Sequence, residues 1–527
     1  MNGRSGLRIG VDVGGTNTDA VLLSDRDVLA TVKVPTTSDV GSGIVAAVRT
    51  ILEQGQASPA AVEAVMIGTT HFTNAFVQRH DLAKVHCLRL GLPASRGVPP
   101  FSGWPDDVRD AVCAGRTLVR GGYEFDGRTI GELDENAVEE VARTLQRDGV
   151  GQLAISGIFS QINDDQERRA AQIVQRVAPE IEVSLSSELG RTGLIERENA
   201  AIMNASLRPL AEKVATAFAD ALATLGLDCP YYVSQNDGTL MSADHMRSYP
   251  VLTFAAGPTN SLRGAAWLTG ASDAIVVDIG GTTSDVGVLV KNFPRQSSVH
   301  VDVGGVRTNF RMPDVLSVGL GGGSRVREQD GVVTVGPDSV GNRLTDEALI
   351  FGGEQLTASD IAVAGGWAQI GDREKLGAVD AALVTGAAEA IRQIVATTID
   401  KVKTSPDPMP MILVGGGGVL VNQEPPGVSE MMRPDHAGVA NAIGAAIGQV
   451  SGEVDSIFSI TDPTGRESAL EKARKEATDK AIEAGAAAGS VEITDIETFP
   501  LQYLPGGATR VFCRAVGDLA IKETVGG

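Results

Sequence analysis

The sequence predicts an α/β fold of two related domains followed by a small C-terminal α+β appendix. Three observations carry this. First, one glycine-rich turn occurs twice, about half the chain apart: Asp12-Val13-Gly14-Gly15-Thr16-Asn17-Thr18-Asp19 and Asp278-Ile279-Gly280-Gly281-Thr282-Thr283-Ser284-Asp285. Each copy follows an apolar, β-branched run (from Ile9; from Ile275) and returns into another (Ala20 to Leu23; Val286 to Val290), the pattern of a β-hairpin with a polar tip. Second, 527 residues are too many for one core. Third, 43% hydrophobic and only 4% aromatic residues, with 63 glycines, favour sheets and helices packed with Ala, Val, Ile and Leu and joined by many turns.

The elements follow in order. Residues 7–80 read as strand, hairpin, strand, helix, strand, with helical periodicity from Asp39 to Glu53 (Ile44, Val48, Ile51, Leu52). Residues 81–130, rich in Gly, Pro and Arg, read as an irregular flap or edge hairpin. Asp134 to Arg147 is a capped amphipathic helix, Leu153 to Ser160 a buried strand, and Asp164 to Val177 a helix with Asp164 as N-cap. After a strand at Ile181 to Ser186, a long helix starts near Leu194, breaks at Arg208-Pro209 and resumes to Leu225. Strands follow at Tyr231 to Ser234 and in the second hairpin, Asp273 to Val290. The helix Asp380 to Lys403 leads into the strand Met411 to Val414 and four glycines, Gly415 to Gly418. A small-residue helix spans Ala437 to Ser451. The appendix consists of a charged helix, Glu467 to Ala488, and strands at Ser490 to Phe499 and Ala508 to Ala515. The expected domain boundaries are therefore 1–190, 191–460 and 461–527.

A tip of the form Asp-x-Gly-Gly-Thr offers unhindered backbone N–H groups and hydroxyls to phosphate oxygens. Its carboxylates cannot face phosphate bare, so a divalent cation or its waters belongs between them. The net charge of −21 disfavours nucleic acid and anionic membranes, while local amides and a cation still permit a nucleotide. The run near Arg8 and Asp12 is too short for a secretory leader, and no apolar run approaches the roughly 18 residues of a membrane span. Four dispersed cysteines (Cys87, Cys113, Cys229, Cys513) read as reduced thiols, so a cytoplasmic location is expected. The six histidines are scattered, with none at the spacing of a hydrolytic zinc site.

The two hairpins and the strand running into Gly415-Gly416-Gly417 resemble the phosphate-1, phosphate-2 and adenosine motifs of the actin, hexokinase and heat-shock chaperone superfamily. Further segments resemble the hydantoinase A and 5-oxoprolinase family: Gly68-Thr69-Thr70-His71-Phe72-Thr73-Asn74-Ala75, Glu196-Arg197-Glu198-Asn199, Gln235-Asn236-Asp237-Gly238-Thr239-Leu240-Met241, Ala255 to Ser261, and Gly319 to Ser324. His71 and Phe72 depart from the smaller residues of that pattern, and Ala255-Ala256 from a Ser-containing pair. The resemblance implies two actin-like ATPase domains, with mixed sheets flanked by helices, binding ATP and Mg²⁺. It assigns Asp12 and Asp278 to the hydrated ion. Phosphate falls to Gly14, Gly15, Thr16, Asn17 and Thr18 and to Gly280, Gly281, Thr282, Thr283 and Ser284, and adenosine to Gly415, Gly416 and Gly417. Two roles stay open for Asp19 and Asp285: orienting water around the ion, or bonding the amides of their own turn. Thr69, Thr70 and Asn74 are substrate-binding candidates, although a strand-to-helix turn with Thr as N-cap explains the same residues. His71 is a candidate acid/base or an ordinary polar contact. Arg197, Glu198 and Asn199 fit a solvated or salt-bridged helix face, and Asp106, Asp107 and Asp110 a solvated one.

The activity implied is ATP-dependent activation of a cyclic amide, such as a hydantoin or 5-oxoproline, by phosphorylation for ring opening. A hydantoinase B-like second subunit would complete the hydrolysis in an oligomer. Alternatives are a carboxylase-type relative that activates bicarbonate or a ketone, and a regulatory or assembly ATPase with no small-molecule product.

Overall fold

A computed structural model describes residues 6–15, 17–36, 40–191, 193–297, 300–460, 462–501 and 507–520. Thr16, one of the expected phosphate contacts, lies outside them. Among the described residues the strands form three main sheets with helices on their faces. The first sheet has nine strands in the order Glu492–Pro500, Ala508–Gly517, Gln449–Ser459, Thr239–Ser242, Tyr231–Ser234, Val62–Thr69, Leu7–Val13, Asn17–Ser24, Asp27–Pro35. It mixes parallel pairs, such as Leu7–Val13 on Val62–Thr69, with antiparallel hairpins. The expected cuts at 190 and 460 run across this sheet, because strands from all three linear segments lie side by side in it. The C-terminal α+β unit thus lengthens the first sheet: Gln449–Ser459 carries Ala508–Gly517, which carries Glu492–Pro500. Its helix, Pro463–Glu483, buries Ala469, Ala473, Ala477 and Ala481, one face at a four-residue repeat, beside Val454 and Cys513.

The second sheet is built around Ser284–Val290, Ala274–Ile279, Met409–Val414 and Val428–Met432. It repeats the plan of the first. In each, a hairpin's first strand pairs antiparallel with its own return strand and parallel with a later strand that ends in a glycine turn. Each sheet is covered by an apolar core of its own.

Two helices lie between these sheets. Ala256–Thr269 packs Leu262, Ala265 and Ala266 on the second sheet, against Val276, Ile412 and Val414. Ala440–Ala446 packs on the first sheet, with Ala442, Ile443 and Ala446 against Val21 and Leu23. The two helices touch through their backbones. A side chain on Gly264 would stand 1.9 Å from the carbonyl oxygen of Ala440, and one on Gly444 would stand 1.8 Å from that of Asn260. Only glycine fits such an approach. The expected helix from Ala437 to Ser451 is therefore shorter. From Gln449 the chain enters the first sheet, whose hydrogen bonds outweigh continued helix.

The region 81–130 is not an irregular flap. It supplies Val85–Leu92 and Cys113–Arg120 to a four-stranded parallel sheet with Gln152–Gly157 and Glu182–Leu185. The alternation of the first of these strands is masked by Arg89, a fully buried cation. Glu198 of the long helix accepts from Arg89 Nε at 2.7 Å and from Ser156 Oγ. Beside it, Arg197 donates to Ser186 Oγ and to the Gly157 carbonyl, and Asn199 accepts from Trp104 Nε1. The Arg197-Glu198-Asn199 face is salt-bridged, as one reading held, but it is buried rather than solvated. That burial also explains why Leu194–Thr224 runs unbroken through Pro209: its packing on several sheets exceeds the loss of one helical hydrogen bond. The helix at Asp165–Val177 is not capped by the Asp164 side chain, which instead pairs with Arg168 at 2.6 Å. Among the described residues no helix is long and apolar enough to cross a membrane.

Candidate functional site

The two glycine-rich turns form matching hairpins. In the first, Asp12 stands opposite Asp19 and the turn closes with Gly14 N–H donating to the Asn17 carbonyl at 3.0 Å. In the second, Asp278 stands opposite Asp285 and Gly280 N–H donates to the Thr283 carbonyl at 2.9 Å. Each hairpin thus carries two carboxylates at one cross-strand position. The registers extend to the parallel neighbours: Asp12 pairs with Gly68, and Asp278 pairs with Val414, the residue before Gly415. Side chains on these glycines would strike the carboxylates, at 2.4 Å from Asp12 Oδ1 for Gly68 and 2.2 Å from Asp278 Oδ1 for Gly415. Gly417 lies under the same turn, close to the Gly280 carbonyl, and Gly416 is exposed beside it.

The tip residues differ in exposure. Gly15, Gly281 and Thr283 are exposed, and Gly14, Asn17, Gly280 and Thr282 are partly exposed. Thr18 and Ser284 are fully buried. Thr18 meets Thr36 Oγ1 at 3.2 Å, and Ser284 Oγ donates to the Leu320 carbonyl at 2.6 Å. The loop Gly321 to Ser324 braces the second tip, with Gly322 and Gly323 N–H donating to the carbonyls of Gly280 and Gly281.

The carboxylates are held by residues the sequence did not single out. Asn441, on the helix packed against the first sheet, donates Nδ2 to both Asp12 and Asp19 at 2.9 Å. Lys33, opposite Asp19 in the next strand, pairs with Asp19 at 2.5 Å. Across the helix pair, Ser261 donates to Asp278, while Ser317 donates to Asp285. Each helix therefore restrains the first carboxylate of the hairpin on its own sheet. Burial, with Asp19 close by, pushes the Asp12 carboxyl up to about 7; Asn441 and Lys33 oppose this, and Asp278 adds to it. Burial pushes Asp278 up to about 6, with Asp285 adding and Ser261 opposing. Asp285 is also raised by burial.

The residues present fit a hydrated divalent cation. Oδ1 of Asp12, 4% exposed, has no hydrogen-bond partner, and neither amide atom of fully buried Asn260 has one. Both face Gly68, where an added methyl would also stand 2.5 Å from Asn260 Nδ2. Carboxylates pushed up by burial are those that gain most from a nearby cation.

The Gly68 to Asn74 segment joins this centre. Thr69 is buried and accepts from His71 N–H at 3.2 Å, so it holds the start of the helix His71–Gln78. Thr70 occupies the cap position without a side-chain cap bond; its hydroxyl accepts from Asn74 Nδ2 at 3.3 Å. Asn74 reaches toward Gly15, and Thr70 toward Gly257 at the start of the helix Ala256–Thr269. His71 is partly exposed and lies 3.4 Å from Thr69 Oγ1. Burial, with His80 nearby, lowers its pKa, so it is neutral at pH 7. The structure brings Thr70 and Asn74 to the first tip and leaves Thr69 as a support behind them.

Comparison with known proteins agrees with this geometry. A family model described as the hydantoinase/oxoprolinase N-terminal region matches residues 8–178, and one described as hydantoinase/oxoprolinase matches residues 197–367. The gamma subunit of acetophenone carboxylase from Aromatoleum aromaticum is 26% identical over 397 residues, 68% of this chain and 53% of that protein. Caprolactamase subunit alpha from Pseudomonas jessenii is 26% identical over 385 residues, 68% of this chain and 54% of that protein. The chain thus spans about half the length of these relatives. Among solved structures, the ATP-dependent caprolactamase from Pseudomonas jessenii superposes with a TM-score of 0.76 at 20% identity, over 97% of this chain and 87% of that one. A nucleotide-free acetone carboxylase superposes with a TM-score of 0.68 at 19% identity, over 98% and 88%. These likenesses show the fold, which is α/β with mixed, helix-flanked sheets. On the matched models, the paired hairpins and the glycine turns behind them, the chain belongs to the hydantoinase/oxoprolinase family.

Proposed function

We infer that this chain is the ATP-using subunit of an enzyme that activates a cyclic amide by phosphorylation for ring-opening hydrolysis. The observation that carries this reading is the pair of register-matched hairpins, each with a buried or half-buried carboxylate behind an exposed glycine tip. Asp12 and Asp278 would hold a hydrated magnesium ion, which would supply positive charge against the phosphate oxygens. Backbone N–H groups of Gly15 and Gly281 donate to those oxygens, with Thr282 and Thr283 beside them, while the N–H groups of Gly14 and Gly280 close their own turns. Gly415 to Gly417 admit the nucleoside along the second hairpin. Such an arrangement acts by positioning and charge stabilisation, which phosphoryl transfer chiefly requires. Thr70 and Asn74 orient the acceptor next to the first tip, and neutral His71 accepts or relays a proton there. Attack of water on the activated amide falls to a second, hydantoinase B-like subunit. The relative named as a caprolactamase subunit supports the amide reading.

The relative named as an acetophenone carboxylase subunit supports a second reading, in which the same phosphoryl transfer activates bicarbonate or a ketone. One experiment separates the two. ADP release by the chain is followed with a panel of lactams and hydantoins, then with ketones plus bicarbonate, each with and without the protein encoded by the neighbouring reading frame. Lactam-stimulated ADP release supports the first reading, and strictly bicarbonate-dependent release replaces it with the second.

A further inference from the structure

At the ends of the hairpins away from their tips the chain holds a cleft of about 610 Å³, within the size range of small-molecule sites. Arg26 enters it from the turn after the return strand Asn17–Ser24, and Phe293 from just beyond the return strand Ser284–Val290. The cleft therefore meets the two hairpins at equivalent places. Arg263 and Trp267 of the helix Ala256–Thr269 form its wall, with Ile447 and Gln449 from just after the helix Ala440–Ala446. None of the hairpin carboxylates or tip glycines lines it. In a chain with a net charge of −21, two arginines and no carboxylate line this cleft.

Arg263 is the unusual member of this wall. It is only 7% exposed, yet among the described residues it makes no ion pair. The other deeply buried arginines are provided for. Arg89 pairs with Glu198, and Arg514 Nε donates to Glu453 at 2.7 Å. Arg197, with no ion pair, has an acceptor at each of its three nitrogens. Arg263 has one acceptor, Gln449 Oε1, at 3.2 Å from Nη2. Its Nε is shut off without a partner. Its Nη1 is unbonded but not shut off, so it is the nitrogen open to the cleft. The Phe293 ring, 4.2 Å from Arg263 Cζ, fixes the plane of the fork. Burial brings this guanidinium down to about 10, with Asp237 opposing and Arg514 adding. Asp237 lies outside the cleft and accepts from the amide and hydroxyl of Thr239. Asp518, also outside, accepts from Gln449 Nε2 at 2.9 Å. Asp25 and Asp27 flank Arg26 but do not line the cleft, and Arg26 makes no ion pair among the described residues. Buried charges are normally paired, so an unpaired buried cation that opens onto a cleft without acids calls for an anion.

We propose that this cleft binds an aromatic carboxylate, with its anionic end on Arg263 Nη1 and Arg26 and its ring against Trp267 and Ile447. One buried unpaired charge is matched by one negative charge, which favours a monoanion over phosphate. The planar guanidinium suits a carboxylate, and the indole of Trp267 offers a flat apolar face to a ring. A ligand seated there touches both lobes at once, through Arg26 on the first sheet and the helix Ala256–Thr269 on the second. It stands apart from the nucleotide, because the tips lie at the opposite ends of the same return strands.

The test is calorimetric titration of the full chain with 2-naphthoate, its uncharged counterpart 2-naphthamide and inorganic phosphate, with melting curves to confirm folding. Naphthoate should bind saturably with a Kd of about millimolar or tighter. Naphthamide should bind roughly tenfold more weakly or worse, and phosphate should not displace naphthoate. Arg263→Met keeps the stem and removes the charge, and it should weaken naphthoate by roughly tenfold or more. Should that variant fail to fold, Arg26→Gln, on an exposed turn, serves in its place with a loss of about threefold. Mg²⁺ with a non-hydrolysable ATP analogue should leave naphthoate bound, which separates this cleft from the nucleotide reading. Absence of saturable binding, equal binding of the amide, wild-type affinity in the folded arginine variants, or displacement by phosphate or by the nucleotide would overturn the proposal.

Discussion

The first hairpin keeps its carboxylates with an amide and an ammonium, Asn441 and Lys33, whereas the second keeps them with two hydroxyls, Ser261 and Ser317. Their backbones are near copies, with the same cross-strand Asp pair and the same turn-closing bond. The difference lies in what surrounds the copies. Asp12 is buried beside an ion-paired Asp19 and is pushed up to about 7, while half-buried Asp278 is pushed up to about 6. A duplicated loop therefore sets where an ion and a phosphate can lie, and the supporting helices set how readily each side gives up its proton. The supports are themselves a pair, packed backbone to backbone through Gly264 and Gly444, so each hairpin's anchor is fixed against the other's.

The largest expected effects come from filling the glycines behind the two carboxylates. Gly415→Ala places a methyl against Asp278 and forces a left-handed backbone (φ 80°) on an alanine; Gly68→Ala meets Asp12 without that second cost. Both should weaken nucleotide binding by roughly a hundredfold, and Gly415→Ala should also melt lower than Gly68→Ala. Equal affinities for the variants and the wild type in calorimetry would separate these glycines from the site.

A smaller effect distinguishes the supports. Asn441 serves two carboxylates and Ser261 one. Removing either donor raises the carboxyl it held, so the acid limb of ATP turnover should move to higher pH. The shift should be about one pH unit for Asn441→Ala and less for Ser261→Ala. A pH–rate profile checks the order, and an unshifted limb in Asn441→Ala would mean that the amide does not tune Asp12.

The smallest effect is on stability without nucleotide or ion. Asp12 and Asp278 have folded values above the ordinary 3.8, so between about pH 4 and 7 the folded chain binds protons that the unfolded chain has lost. Their contribution to stability is present at low pH and is lost as pH rises through about 6 to 7. Replacement by Asn removes that loss. The melting temperature of Asp12→Asn should therefore gain on the wild type as pH rises from about 5 to 8, and Asp278→Asn should gain less. Added Mg²⁺ should narrow the gap by stabilising only the wild type. A gap that shrinks with rising pH would contradict the sign.

Both hairpins could be read from the sequence because a glycine tip between β-branched runs is a local pattern, and the register between Asp12 and Asp19 follows from the turn length. The strand ending at Val414 and the helix at Asp380–Lys403 were visible for the same reason. Lys33, Asn260 and Asn441 were not, since each reaches the site only through pairing or packing with distant elements. Lys33 had one signal, a cation two strands from Asp12 in a run otherwise suited to a sheet. Ser261 lay in a segment already noted for its resemblance, but nothing local tied it to Asp278. The strands of 81–130 were hidden by Arg89, a charge tolerated in a buried strand because Glu198, more than a hundred residues on, neutralises it. The same non-locality hid the union of the C-terminal strands with the first sheet.

The decisive measurement is titration of Mg²⁺ with a non-hydrolysable ATP analogue into the wild type, Asp12→Ala and Asp278→Ala, each shown by circular dichroism to be folded. If the two hairpins clasp one nucleotide from opposite sides, the wild type binds it at a single site and each variant alone loses that binding. Wild-type affinity in either folded variant would mean that its hairpin is not part of the clasp.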